Sequence, residues 1–237
     1  MAARHNVKEL AFELDGMSVP LTIRRNKQAR RMIVRIDPKT DGVKLTLPWY
    51  VAESEGLSFL NSQTTWLRRR LGKLTPRIAF ADGVEIEILD ETYRVQSRPD
   101  AKRGVWIEDG AIHVSGRPEH MVRRLTDWLK AEAKKKLSAL SDEKAAQIGK
   151  TVKRVTVRDT TSRWGSCTHD GALNYSWRLI MAPPKVLDYV CAHEVAHIEQ
   201  MNHGPEFWKL VYRHCPHTDY ARNWLKRHGQ TLHKLPV

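Results

Sequence analysis

The sequence contains few cysteines and no long hydrophobic run. Its three cysteines, Cys167, Cys191 and Cys215, are too few and odd in number for a disulfide framework, and this usage favours a reducing compartment such as the cytosol. No apolar stretch approaches the ~20 residues that a membrane-spanning helix requires. Residues 1–10 lack the apolar core and the small-residue cleavage site of a signal peptide. We therefore expect a cytoplasmic chain without a membrane partner.

Acidic residues are also scarce beside basic ones. The 237 residues include 40 Lys and Arg against 27 Asp and Glu, which gives a formal net charge of +13 at pH 7. The excess lies at the two ends, because residues 1–75 hold 14 basic and 7 acidic side chains and residues 151–237 hold 12 and 7. Such a balance favours contact with a polyanion, but it is equally compatible with a basic surface that binds nothing.

The densest basic segment, Arg24–Arg31, abuts a predicted strand. Its four arginines and one lysine would follow the phosphates of a nucleic acid. The same charges would also protect a solvated edge strand from aggregation. The segment therefore leaves two interpretations open, a nucleic-acid contact through the basic N-terminal region or a purely structural role.

Residues before Arg117 predict mostly sheet. Alternating apolar residues in Met32–Ile36 and Val43–Leu47 flank the turn-rich connector Asp37–Gly42, which is typical of a hairpin. Helical spacing of leucines predicts one helix from Glu53 to Leu71. Four further short strands are predicted at Val84–Ile88, Tyr93–Val95, Val105–Ile107 and Ile112–Val114.

Residues after Arg117 predict mostly helix. A long amphipathic helix begins at Pro118, and later helices are predicted from Pro184 to about Gln200, from Pro205 and from about His217. Extended segments between them are predicted at Val152–Val157, Ala172–Ser176 and Leu179–Met181. The sequence thus predicts an α+β protein with a β-rich N-terminal region that contains one helix, residues 1–117, and a helix-rich region with a small sheet, residues 118–237.

The helix predicted from Pro184 contains the pattern His-Glu-x-x-His at residues 193–197. Residues four apart lie on the same face of a helix, so His193 and His197 can direct two imidazoles at one metal ion. Glu194 is offset by one residue and suits a general base better than a ligand. The alternative, two surface histidines on an amphipathic helix, fits less well because apolar residues flank the motif on both sides.

A catalytic zinc ion requires three protein ligands and one open position. The third candidate is His203, because the six residues from His197 to His203 allow one helix to end and the next to begin at Pro205. Glu206 is the weaker candidate, since it would lie within the first turn of that next helix.

Further motifs surround this pattern, in the segments Arg163–Cys167, Leu173–Leu179, Asp188–Val190 and Asn202–Trp208. Together with the His-Glu-x-x-His pattern, they resemble the YgjP-like metallopeptidase-domain family and, more distantly, the SprT-like zinc proteases. The resemblance implies a gluzincin-like, zincin-type catalytic domain over residues 118–237. It also implies a Zn²⁺ ion held by His193, His197 and His203, with Glu194 as the catalytic residue.

The remaining candidates are weaker. Arg163, Tyr175 and Tyr220 are guesses for contacts with the substrate or with a developing oxyanion. The segment His214–His217 contains His, Cys and His, but the sequence offers no second pair of ligands with matching spacing.

These observations predict a zinc-dependent metallopeptidase that uses a metal-activated water and a Glu general base on a peptide or protein substrate. One alternative is a metal-dependent nucleotide pyrophosphohydrolase, which the positive charge would favour. A second alternative is a nucleic-acid-associated, SprT-like protease.

Overall fold

The computed structural model describes residues 7–37, 40–72, 80–160 and 163–234. Within these residues the chain is a mixed α+β protein with three small sheets and six α-helices. It divides into two compact units, one within Met1–Pro76 and the other within Arg77–Val237. None of the helices formed by the described residues is both long and apolar enough to cross a membrane. The cytoplasmic location stays a prediction.

The first unit contains a four-stranded sheet in the order β1-β2-β4-β3. Its strands are β1 (Val7–Leu14), β2 (Met17–Asn26), β3 (Ile33–Asp37) and β4 (Gly42–Pro48). The antiparallel pairing of β3 with β4 confirms the predicted hairpin, although Pro38 and Lys39 of its connector lie outside the described residues. β2 runs parallel to β4, and the hairpin of β1 and β2 was not predicted.

Two helices, α1 (Glu53–Ser62) and α2 (Thr64–Leu71), replace the one helix predicted for the first unit. Gln63 separates them because its backbone N–H bonds to the Leu60 carbonyl, a tighter turn than the α-helical one. A Cβ atom on Gly56 of α1 would lie 2.6 Å from the Leu47 side chain, so glycine permits this helix to pack directly on β4. The buried core between the sheet and the helices includes Leu21, Leu45, Leu47, Leu60 and Leu67.

The second unit begins with another four-stranded sheet, in the order β5-β6-β8-β7. Its strands confirm those predicted between residues 84 and 114: β5 (Glu85–Ile88), β6 (Glu91–Arg98), β7 (Val105–Glu108) and β8 (Ala111–Ser115). A single 3-10 turn at Pro118–His120 then leads into the long helix α3 (Met121–Gln147). The apolar stripe of α3 is buried against the sheet and the later helices, as its helical spacing predicts.

A third, three-stranded sheet has the order β10-β11-β9 and precedes the last three helices. Its strands are β9 (Arg154–Arg158), β10 (Gly165–Cys167) and β11 (Ala172–Ser176), and the helices are α4 (Pro184–Ala196), α5 (Pro205–His214) and α6 (Thr218–Leu232). The extended segment predicted at Leu179–Met181 is wrong, because Trp177–Met181 form a buried 3-10 helix. Burial on every side removes the periodicity that would have identified this helix.

The compact units divide at Pro76 and Arg77, whereas the sequence predicts a boundary near Arg117. The physical reason is a shared core: Val95 and Ile112 of the β5–β8 sheet belong to the same buried cluster as Leu125 of α3. The sheet therefore cannot be separated from the helical region without exposing apolar surface. The assignment of catalysis to residues 118–237 alone stays a prediction.

Candidate metal centre

Helix α4 positions the His-Glu-x-x-His residues through its buried apolar side. It begins at Pro184, which suits a first helical turn because proline lacks a backbone N–H to satisfy. Leu187, Cys191 and Val195 follow at intervals of four residues and are almost completely buried. Burial of these side chains fixes the rotation of the helix about its axis, and this rotation sets the directions of His193 and His197.

The three predicted ligand histidines meet at one place. The ring nitrogens that His193, His197 and His203 can offer lie within 4.8 Å of one another. His193 Nε2 and His203 Nε2 are 3.1 Å apart. His197 is the last residue of the motif and ends α4, and His203 lies in the loop that precedes α5. His197 is buried whereas His203 is exposed, so the cluster has a closed side and an open side.

Phe207 forms the floor of the cluster. It is fully buried on α5, and its ring centroid lies 4.5 Å from that of His197, 4.7 Å from that of His203 and 4.9 Å from that of His193. One ring therefore contacts all three imidazoles and limits their rotation. The sequence motifs alone give Phe207 no role; its position two residues after Pro205, in the first turn of a predicted helix, was the available signal.

Hydrogen bonds to the other ring nitrogen orient two of the imidazoles. His197 Nδ1 lies 3.0 Å from the carbonyl oxygen of Gln200, and His193 Nδ1 lies 3.5 Å from the hydroxyl of Tyr189. A partner at Nδ1 leaves Nε2 as the nitrogen that faces a metal ion. The tyrosine occupies the turn of α4 before His193, so helical geometry brings these two side chains together.

The electrostatic environment keeps His193 and His197 uncharged. Burial, reinforced by the neighbouring His197 and His203, lowers the pKa of His193 to about 3. Burial also lowers the pKa of His197. Neutral imidazole is the form that binds a metal ion, and desolvation in the absence of a ligand disfavours protonation of these rings. The donor set of three imidazoles therefore fits a divalent transition metal ion.

Glu194 lies beside the histidines but is separate from their ligand cluster. Its side chain is 6% exposed and packs against the backbone of Gly165 in β10, where an added Cβ atom would lie 2.5 Å from Glu194 Oε1. Burial raises the pKa of Glu194 to about 8, and the positive charge of Arg163 opposes that rise. The site thus combines a desolvated carboxyl group with a strand whose backbone leaves no room for a side chain between the two.

Two guanidinium groups act electrostatically on the site. Arg163 is exposed, and its positive charge opposes the rise in the pKa of Glu194. Its role as a substrate contact stays a prediction. The Arg222 guanidinium lies 4.6 Å from the ring centroid of Trp208, and that ring is 5.9 Å from both His193 and His203. Arg222 was not predicted from the sequence, because its distance along the chain from the motif gives no local signal.

The two predicted tyrosines occupy different environments. Tyr175 is buried in the core, where its hydroxyl lies 2.9 Å from Ser141 Oγ on α3. It therefore presents almost no surface to a substrate. Tyr220 is exposed on α6 beside the Lys185 ammonium, and no hydrogen bond or ring contact joins it to the histidines among the described residues. The structure thus gives neither tyrosine a contact that supports its predicted role.

A second group of potential ligands consists of Asp188, Cys215 and His217, whose donor atoms also lie within 4.8 Å of one another. The Lys144 ammonium lies 2.7 Å from Asp188 Oδ1 and donates to the carbonyl oxygen of His214. His217 Nε2 lies 3.0 Å from Asp188 Oδ2. Because a lysine already supplies the positive charge, this group is better explained as a buried ion pair that ties α3 to α4.

The family model of the YgjP-like metallopeptidase domain matches residues 30–228. The chain belongs to the YgjP-like metallopeptidase-domain family. This confirms the resemblance stated from the sequence motifs, and it implies a bound divalent metal ion in a hydrolase. The matched residues include all of the histidines of the cluster and Glu194.

No curated protein matches the YgjP-like chain. The crystal structure of the metallopeptidase zymogen of Pyrococcus abyssi abylysin is 19% identical over 43% of this chain and 99% of its own, with a TM-score of 0.36. A TM-score of this size does not establish a common fold.

Metal analysis of single variants distinguishes the two ligand groups. We expect the purified protein to carry about one metal ion per chain and His197→Ala to lose almost all of it, because two imidazoles hold an ion far more weakly than three. His217→Ala serves as the matched control and should retain the metal, as Lys144 and Asp188 remain paired. The reverse pattern, with metal lost only from His217→Ala, would place the ion at the second group.

Proposed function

We propose that this chain is a zinc-dependent peptidase in which Glu194 is the general base. The observation that carries the proposal is the position of Glu194, a buried carboxylate one residue from His193 and beside a cluster of three imidazoles. A base in that position can reach a water molecule at the open side of the cluster. We also propose that this catalytic core is gluzincin-like.

His193, His197 and His203 would hold the ion. We propose zinc because three imidazoles with a fourth position left open are typical of catalytic zinc sites. A zinc ion there would lower the pKa of a water molecule and polarise the scissile carbonyl. Phe207, together with the Nδ1 partners of His193 and His197, would keep the three rings in place while substrate enters and leaves.

Glu194 would accept a proton from the attacking water and then deliver it to the leaving amine. Two properties of its surroundings support this role. Burial favours the protonated form of the carboxyl group, which increases its affinity for the proton. The Arg163 charge acts in the opposite direction, so the carboxyl group can both take up and release a proton during turnover.

Strand β10 supports a peptide as the substrate. In the described part of the chain it is the end strand of its sheet, paired with β11 on one side only. An unpaired strand edge offers backbone N–H and C=O groups to an extended peptide. Because Gly165 of β10 packs against Glu194, a peptide added to this edge would pass beside the general base.

A second candidate function is hydrolysis of a nucleotide pyrophosphate bond. Arg163 and Arg222 favour it, since exposed guanidinium groups that act on Glu194 and His193 would bind the phosphate oxygens of a nucleotide. The same groups would equally bind a carboxylate of a peptide substrate. The two functions therefore differ in which bond is broken, and a panel that contains both substrate classes separates them.

Replacement of the base tests the mechanism. Glu194→Gln preserves the size of the side chain but removes its capacity to accept a proton, so we expect hydrolysis of casein and short peptides to fall by about 10²–10⁴-fold with metal content unchanged. Glu199→Gln makes the same chemical change at an exposed residue just beyond α4 and should have no effect.

Two results of the same assay would contradict the proposal. Full peptidase activity in Glu194→Gln would exclude this carboxylate as the base. Release of pyrophosphate or phosphate from nucleoside triphosphates, without cleavage of any peptide, would replace the peptidase by the second candidate.

The close approach of β10 to Glu194 can be tested at Gly165. A methyl group at this position would have to displace the carboxylate, since its carbon atom would lie 2.5 Å from Glu194 Oε1. Because a shift of about 1 Å in a catalytic group can cost about 10²-fold in rate, we expect Gly165→Ala to lower kcat by that order while the metal stays bound. Ser166→Ala, on the next residue of the same strand, is the control, and equal activities in the two variants would contradict this positioning.

A further inference from the structure

Two connecting segments lie at the same end of the N-terminal sheet. β2 and β4 are parallel, with Arg25 opposite Leu47 and Asn26 opposite Pro48, so both strands finish at the same end of the sheet. β3 begins there too, because Ile33 lies opposite Thr46. The connector from β2 to β3 and the turn that follows β4 are therefore neighbours. We call the surface formed by residues 24–31 and 49–50 the basic–aromatic end.

The charge of the basic–aromatic end has one sign. Arg24, Lys27, Arg30 and Arg31 are exposed, and no carboxylate among the described residues forms an ion pair with any of them. No acidic residue occurs in residues 16–36 or in residues 42–52. The basic–aromatic end itself therefore contains no acidic residue, and the field of its cations attracts an anion.

Two aromatic side chains stand beside these cations. Trp49 is 64% exposed and Tyr50 is 62% exposed, more than any other aromatic residue in the described chain. Their ring centroids lie 5.9 Å apart with the planes nearly perpendicular. The two exposed rings do not contribute to the core of the unit, because other residues form it.

The turn that carries the two rings is held in place by its neighbours. Arg25 Nη1 donates to the carbonyl oxygens of Trp49 and Val51, at 3.1 Å and 2.6 Å. The Tyr50 hydroxyl lies 3.4 Å from the carbonyl oxygen of Arg30, so the aromatic turn also contacts the basic connector. The rings are thus presented by an ordered backbone, which reduces the conformational entropy that the protein would lose on binding a ligand.

We infer that the basic–aromatic end binds single-stranded nucleic acid. The cations would neutralise phosphates, and the two rings would stack on bases. A single strand fits better than a duplex, because its bases are free to stack on protein side chains. A membrane surface fits less well, since interfacial anchors present a continuous apolar face and these rings stand among charged side chains. The inference is independent of the proposed peptidase activity.

Binding should be measured on the full chain with fluorescent oligo(dT) and oligo(U) of about 20 nucleotides, which exceeds the usual site size of a single-strand-binding module. Four phosphate contacts predict a log–log salt slope of about −3, because each contributes about −0.7 on a single strand. Arg30→Ala/Arg31→Ala should roughly halve that slope.

A matched control removes the same charge elsewhere in the unit. Arg69 and Arg70 are exposed on α2, and their neighbour Arg68 pairs with Asp15 in the β1–β2 turn, at the opposite end of the sheet. Arg69→Ala/Arg70→Ala should therefore leave the slope almost unchanged. If both double variants reduce the slope equally, general charge and not this surface is responsible, and the inference fails.

The contribution of the two aromatic rings to binding can be measured separately from that of the charges. Trp49→Ala and Tyr50→Ala should each weaken binding about tenfold without a change in the salt slope, and Trp49→Phe should restore much of the loss. Three results would overturn the inference: no binding of either oligonucleotide at low salt, equal affinity for a duplex of the same length, or binding only to phosphatidylcholine–phosphatidylglycerol vesicles. Unchanged metal content and circular dichroism would show that the variants remain folded.

Discussion

The convergence of three imidazoles on one point is the constraint on which the rest of the site depends. Their ligand nitrogens lie within 4.8 Å of one another, although His203 comes from a different segment than His193 and His197. Burial lowers the pKa of the two helical histidines, so protonation does not drive these rings apart. Phe207 contacts all three and closes the side of the cluster that faces the core.

The surroundings of the cluster show how the fold maintains that convergence. The buried face of α4 fixes the direction of the motif, and the Lys144–Asp188 ion pair joins the same helix to α3. An ammonium buried beside a carboxylate is sensitive to the loss of either partner, because the remaining charge would lack compensation. The two charged groups thus hold α4 in position and take no part in the reaction. On the remaining side, Gly165 of β10 packs directly against Glu194 and limits the space of the site.

Much of this arrangement could be predicted from local patterns. The i, i+4 spacing of His193 and His197 depends only on helical geometry, and the short interval to His203 is compatible with one turn between two helices. Most strands and helices follow from apolar periodicity in the same way. The family, which the matching domain model establishes, was also accessible from the motifs around these residues.

The features that escaped prediction depend on contacts between segments distant in sequence. The Gly165 approach to Glu194 and the Arg222 stack on Trp208 exist only once β10, α4, α5 and α6 are assembled. The division into compact units at Pro76 and Arg77 also depends on such contacts, since a shared core joins the β5–β8 sheet to α3. Local periodicity also gave no sign of the break at Gln63, where one tight hydrogen bond ends α1.

Anomalous diffraction from crystals of the purified protein, recorded on both sides of the zinc absorption edge, tests the central claim most directly. A zinc ion held by the three imidazoles would give one strong peak within about 2.0–2.1 Å of a ring nitrogen of each of His193, His197 and His203, the usual zinc–imidazole distance. A peak among Asp188, Cys215 and His217, or a fully loaded protein without zinc at the three histidines, would contradict that claim.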